Sequence, residues 1–214
     1  MLNVTNGQYF NDYVSKTQKG VFVPFNEALI DGELSLPLFD TRFINQRATL
    51  HKTTKEDYVQ KMGFFFEANN LTQYHAITLW FGLDAFCQIN MLGVLTYLEQ
   101  IGYNGKVYFQ AIDDTTCALI GGLKQIRLGG FTNAYKKVAC GQSVATGYDF
   151  VDKGITDYLY IKDKNNHFYK FIKDNLGKLD KTQMLIKLLD ESLPYGLSDT
   201  YIEKMLTEIF TQID

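Results

Sequence analysis

The sequence predicts an α/β protein: an open, mainly parallel sheet with helices on both faces, followed by an all-helical C-terminal region. Three observations predict it. Short apolar runs give way directly to polar or glycine-rich residues at Leu2-Asn3-Val4-Thr5-Asn6-Gly7, at Gly20-Val21-Phe22-Val23-Pro24-Phe25-Asn26-Glu27 and at Ala76-Ile77-Thr78-Leu79-Trp80-Phe81-Gly82-Leu83-Asp84. Buried parallel strands read this way when each ends in a loop at one shared edge. Each strand-to-strand passage is also long enough for a right-handed helical crossover. Beyond about residue 130 strand patterns stop and helical spacing takes over.

The elements follow in order. Leu2–Thr5 is the first strand, and Gln8–Thr17 a helix with Tyr9, Phe10, Tyr13 and Val14 on one face. Val21–Phe25 is the second strand. Its Pro24 cannot donate a ladder hydrogen bond, which places it at an edge or ends it. A loop runs from Asn26 to Pro37. Helices are expected over Asp40–His51 and from Thr54, where Asp57 three residues on gives a variant of the capping box. Ala76–Phe81 is the third strand, Asp84–Ile101 a helix, and Lys106–Ile112 the fourth strand. Thr116–Ile120 reads as a further short strand, punctuated afterwards by Gly121-Gly122. Helices then cover Phe131–Val138, Tyr148–Ile161, His167–Asn175, Lys181–Ser192 and Asp199–Ile213, the last behind a Ser198 N-cap. The division is a Rossmann-like α/β domain over 1–130 and a helical region over 131–214 packed against it.

Composition narrows the function classes. Of 214 residues, 46% are hydrophobic and 21% charged, which is ordinary for a globular chain with a sizeable core. The 16 Phe and 14 Tyr read first as core residues. A net charge of −3 and no basic stripe argue against nucleic acid. No apolar run approaches the ~18 residues that span a bilayer, and no signal peptide opens the chain, so a soluble, cytoplasmic protein is expected. Three cysteines without a C-x-x-C pair define neither a disulfide framework nor a zinc site. Each sits among apolar residues and is expected to be a buried, inert thiol, with a nucleophilic role for Cys87, close to a helix N-terminus, as the lesser alternative. No metal set or cofactor motif is defined by spacing, and no P-loop, G-x-G-x-x-G or G-x-S-x-G is present. Oligomeric state is not encoded.

In open α/β sheets ligands bind outside the carboxyl ends of the strands. The candidate site residues are therefore those that follow the strands. Asn6-Gly7 could bring backbone N–H groups to an anion, or simply make a turn. Glu27, in the acidic loop with Asp31 and Glu33, could do proton or metal chemistry, or be solvated. Arg47 suits a two-pronged grip on carboxylate or phosphate, or an exposed ion pair. Asp84 and Gln88, one turn apart, could face a pocket, although Asp84 also suits a helix N-cap. Asp113-Asp114 could add carboxylates to the same edge.

At these segments the chain resembles a bacterial family catalogued as domain of unknown function 1835. Leu2–Gly7 is similar to its "hVTNGD" opening, Phe25–Leu34 to its "W-x-[DE]-x-L-x-x-G-P-[LV]" segment, and Leu79–Gln88 to its "LWFGxDxxxQ" segment. Arg47 falls where its helical arginine is expected. Leu193-Pro194 and Gly196–Thr200 look like its "LP…GLSxTE" ending. Gln8 stands where the family has Asp, and Glu33 where it often has Pro. The resemblance implies an α/β domain with a helical tail and a grouping of Asn6, Glu27, Arg47, Asp84 and Gln88. It supplies no substrate, because the family has no established biochemical function.

The expectation is a site at the strand C-terminal edge for a small anionic or nucleotide-like ligand. Arg47 and the Asn6-Gly7 backbone would hold the anion, and Asp84 and Gln88 would orient the rest. The alternatives are a hydrolase or transferase using Glu27 or Asp84 as base at the same site, with or without a divalent metal, and a non-catalytic interaction or regulatory protein whose helical tail binds a partner.

Overall fold

The structure, a computed structural model, describes residues 1–211. Five strands form one sheet in the order β2-β1-β3-β4-β5. β1 (Leu2–Asn6), β2 (Val21–Phe25), β3 (Ala76–Phe81) and β4 (Lys106–Ile112) are parallel, and β5 (Leu119–Ile126) runs antiparallel to β4. The chain moves outward from β1 to β2, then returns to place β3 on the other side of β1. That reversal opens a crevice at the carboxyl ends of β1 and β3. Pro24 lies in β2, which is an edge strand as expected.

The two faces are covered unequally. On one face, among the described residues, lies only α1 (Gln8–Thr17), whose Phe10 and Val14 pack with Ile112 and Cys117, flanked by Phe22 and Trp80. Tyr9 and Tyr13, expected on the packing face, are exposed. On the other face lies α5 (Ala85–Gln100), buried from Cys87 to Leu98. A helix apolar all round has to be enclosed. The sheet covers one side of α5, and α6 (Phe131–Ala139) and α7 (Asp149–Lys162) cover another. Each fully buried leucine in it contributes about 1.5–3 kcal/mol. At Gly154 of α7 an added Cβ would strike the Cβ of Gln88, so the glycine sets how closely α7 approaches α5.

Between β2 and β3 lie α2 (Thr41–Leu50), α3 (Lys55–Met62) and the short α4 (Ala68–Thr72), which the sequence pattern did not reveal. Asp40 and Thr54 cap α2 and α3 by accepting from the N–H groups of Phe43 and Asp57. The tail continues through α8 (His167–Asn175), α9 (Lys181–Ser192) and α10 (Asp199–Phe210). The expected end at Ile213 lies outside the described residues. One buried apolar cluster runs through residues on both sides of position 130.

Two expectations are corrected. β5 is longer than Thr116–Ile120 and crosses Gly121-Gly122 instead of stopping there. Gly121 takes φ 64° where the register with β4 shifts, a bulge that glycine permits at an edge. Gln110 Nε2 bonds the carbonyls of Ile120 and Gly121 at 3.4 and 3.5 Å and steadies the bulge. Cys140 is exposed rather than buried, because it lies just past the end of α6 where the apolar stripe has run out. Among the described residues no helix is long and apolar enough to cross a membrane.

Candidate functional site

The loop after β2 turns inward at once. Glu27 is 3% exposed and Arg47, from α2, is 1% exposed. Arg47 Nη2 donates to Glu27 Oε1 at 2.5 Å and to the Ala28 carbonyl at 2.8 Å, and Nη1 donates to the Asp31 carbonyl at 2.6 Å. The Ala28 N–H donates to Glu27 Oε1 at 2.8 Å, and the Tyr58 hydroxyl of α3 donates to Oε2. His51 Nε2 lies 2.9 Å from Oε1. Burial alone would raise the carboxyl's pKa. The His51 bond and the Arg47 charge outweigh it and hold the group down at about 2. Glu27 is thus a fixed negative charge with its lone pairs engaged, which makes it a poor base. Arg47, read as a clamp for an incoming anion, is instead committed to Glu27 and to loop carbonyls.

Asn90 joins this network to β1. Its Nδ2 donates to the Glu27 carbonyl at 2.7 Å and to Asn6 Oδ1 at 2.9 Å, and its Oδ1 accepts from the Leu29 N–H at 2.9 Å. Asn6 Nδ2 in turn donates to Cys87 Sγ at 3.0 Å. The Gly7 N–H donates to the Phe25 carbonyl at 3.1 Å and so ties the ends of β1 and β2 instead of facing a ligand. Asn6, Glu27, Arg47 and Asp84 are therefore linked by one chain of contacts across the carboxyl ends of β2, β1 and β3. Gln88 is fully buried under Gly154, and its Nε2 donates to the Gly82 carbonyl at 2.5 Å.

Asp84 Oδ1 caps α5 by accepting from the Cys87 N–H at 2.9 Å. Cys87 Sγ donates to Asp114 Oδ2 at 2.8 Å. Burial, then the Asp84 and Asp114 charges, push the thiol's pKa well up, so Cys87 is a poor nucleophile. Burial and Asp84 likewise push Asp114 up to about 6, against the lowering effect of the Cys87 bond. Asp114 is exposed as a residue, but its Oδ2 leans into the cluster. Gly82 leaves the room for it, since an added Cβ would lie 2.5 Å from Asp114 Oδ2 and 2.8 Å from Asp84 Oδ2. Asp84, Cys87 and Asp114 offer ligand atoms within 4.8 Å of one another and could hold a cation. Asp84 and Asp114, with Cys87 buried behind them, face a cleft of about 450 Å³ that Asp113 and Leu197 also line. Carboxylate chemistry at this edge would fall to Asp114, not to Glu27.

A second pocket of about 340 Å³ lies on the other side of Phe86, which lines both. Ile30, Leu50, Phe86 and Tyr201 give it apolar walls, and His51, Lys52, Lys204 and Thr200 polar ones. His51 Nε2 also lies 3.2 Å from Arg47 Nη2, but Glu27 is the nearer partner at 2.9 Å and is ionised, so Nε2 is assigned the proton it donates to that carboxylate. Nδ1 then has no partner among the described residues and is not buried. Lys52 follows the end of α2 at φ 52°, a left-handed conformation that favours glycine. The start of α10, capped by Ser198, forms one rim. The tail closes over both hollows: Gly196 (φ 69°) lies where an added Cβ would strike Asp84 Oδ1, and Lys204 pairs with Asp31.

The sequence pattern missed His51 and Asn90 as central groups, and offered Asp114 only as an added carboxylate at this edge, where the structure places it. His51 stands four residues after Arg47 on one helix, and Asn90 is a lone amide inside an apolar helix. Both are readable as signals once burial is known. No protein-family model, curated protein or solved structure matches the chain.

Proposed function

We propose that the protein binds a small anionic or nucleotide-like ligand at the carboxyl edge of its sheet, in the pocket beside His51. The observation that carries this reading is His51 itself. Its ring is fixed through Nε2 by a buried, ionised Glu27, while no described residue bonds Nδ1 and the residue lines a half-open hollow; Nδ1 accepts from a ligand hydroxyl or amino group when the ring is neutral and donates to an anion when the ring is protonated. A largely apolar pocket with a few convergent polar groups is the usual form of a small-molecule site. Lys52 adds positive charge to the pocket, whereas at the start of α10 the Thr200 and Tyr201 N–H groups are already taken by Asp199 and Ser198. Lys52 keeps a strained backbone conformation where glycine would cost nothing, which is expected of a position held for its side chain. The neighbouring cleft of Asp84, Asp113 and Asp114 would repel an anion but suits hydroxyl or amino groups of the same ligand. Arg47 acts here through Glu27, as a positioning residue.

A thermal-shift screen of nucleotides and phosphorylated metabolites, with and without magnesium, tests this reading. A ligand that binds only the native state raises its apparent stability, by about 2.7 kcal/mol at a hundredfold excess over Kd. The expected result is a shift that is lost in His51→Gln. A shift that survives His51→Gln unchanged would contradict the placement.

A further inference from the structure

Beside the pocket that His51 lines, and sharing Asp31, Tyr201 and Lys204 with it, lies a further pocket of about 230 Å³ that His51 does not line. It is lined by Lys162 at the end of α7, Tyr169 of α8, Tyr201 and Met205 of α10, and Asp31 of the loop. Lysines 164 and 204 also line it, but each holds a carboxylate: Lys164 pairs with Glu208 and Lys204 with Asp31. Among the described residues Lys162 has no such partner. Its Nζ donates to the Gly32 carbonyl at 3.1 Å and sits between two rings, 5.5 Å from the centroid of Tyr158 and 5.7 Å from that of Tyr201. That is the one hydrogen bond the amine makes among the described residues, and the residue lines the hollow.

We propose that Lys162 is a carbonyl-reactive lysine, whose Nζ forms a reversible imine with a small aldehyde acid or keto acid admitted to this pocket. The neutral amine's lone pair adds to the carbonyl carbon while the C=O π electrons move to oxygen. The carbinolamine then loses that oxygen as water together with both amine hydrogens, leaving a C=N bond, and water reverses the step. No oxidant or reductant is consumed. The surroundings supply what the step needs. Burial disfavours the ammonium, and Arg47 and Lys204 add to this while Asp31 and Glu33 oppose it. The net effect brings the group down to about 8. A neutral fraction is then present near pH 7.5, where an ordinary lysine holds almost none. Lys164 and Lys204 line the same hollow, so a substrate's carboxylate would be held there by exchanging with Glu208 or Asp31 on one of those ammonium groups. The inference does not depend on the ligand proposed beside His51.

Reductive trapping tests it. The intact protein is treated with glyoxylate and cyanoborohydride at pH 7.5, and the modified lysines are located by peptide mass spectrometry. Lys162 should be carboxymethylated at least about tenfold faster than its exposed neighbour Lys164, as its larger neutral fraction requires. In Lys162→Arg, which keeps a donor for the Gly32 carbonyl, the fast phase should vanish. Labelling of Lys162 no faster than Lys164 overturns the proposal, and so does a fast phase that persists in Lys162→Arg. The comparison within the unsubstituted protein decides the matter even if the variant does not fold.

Discussion

At the scale of single residues, one buried charge pair holds the loop after β2 to α2. Glu27 and Arg47 are both out of water, so each stabilises the fold only while the other is present. Glu27→Gln should leave the guanidinium without its counter-charge and cost about 3–5 kcal/mol, measured by denaturant unfolding. A loss below about 1 kcal/mol would mean that the pair is not buried as described. The same group sets an acid limit. Its carboxyl ionises at about 2 when folded rather than at its ordinary 4.5, so its contribution is complete above pH 4.5 and is lost as the pH falls through about 2. This part of the site was only half legible in sequence. Glu27 and Arg47 could be singled out by residue type and position. That they satisfy each other depends on a contact twenty residues apart, and nothing in local spacing encodes it. Cys87 was the reverse case, legible as an inert thiol because the residues around it are apolar.

At the scale of elements, strands β1 to β4 and most helices follow from apolar periodicity and capping residues that act locally. β5 did not, because its glycines serve a bulge whose sense depends on a partner strand. The approach of the tail to the sheet edge was equally invisible, since it rests on what faces Gly196. That glycine does two jobs: it takes φ 69°, and it leaves space for Asp84 and Phe86. Gly177, at φ 73°, has nothing within 4 Å of an added Cβ. Gly177→Ala should therefore cost only the backbone term, about 1 kcal/mol. Gly196→Ala should cost about 2 kcal/mol or more, because the tail must also shift off α5. Equal losses in thermal unfolding would show that the tail does not rest on Asp84.

At the scale of the whole molecule, strand order 2-1-3-4-5 places the crevice where the chain reverses, and four loops meet there under the tail. The convergence of Asn6, Glu27 and Asp84 follows from that topology more than from any motif. The groups that face open space are others, His51 and Asp114, brought there by the fold. The chain has three histidines, His51, His75 and His167, so imidazole nuclear magnetic resonance reports on the site with little overlap. Titration with orthophosphate, adenosine monophosphate and small sugar phosphates should move the His51 ring signals in a saturable way while those of His75 and His167 stay still. Ring signals of His51 that remain fixed across that series, or that move only in step with the other two, would contradict the account.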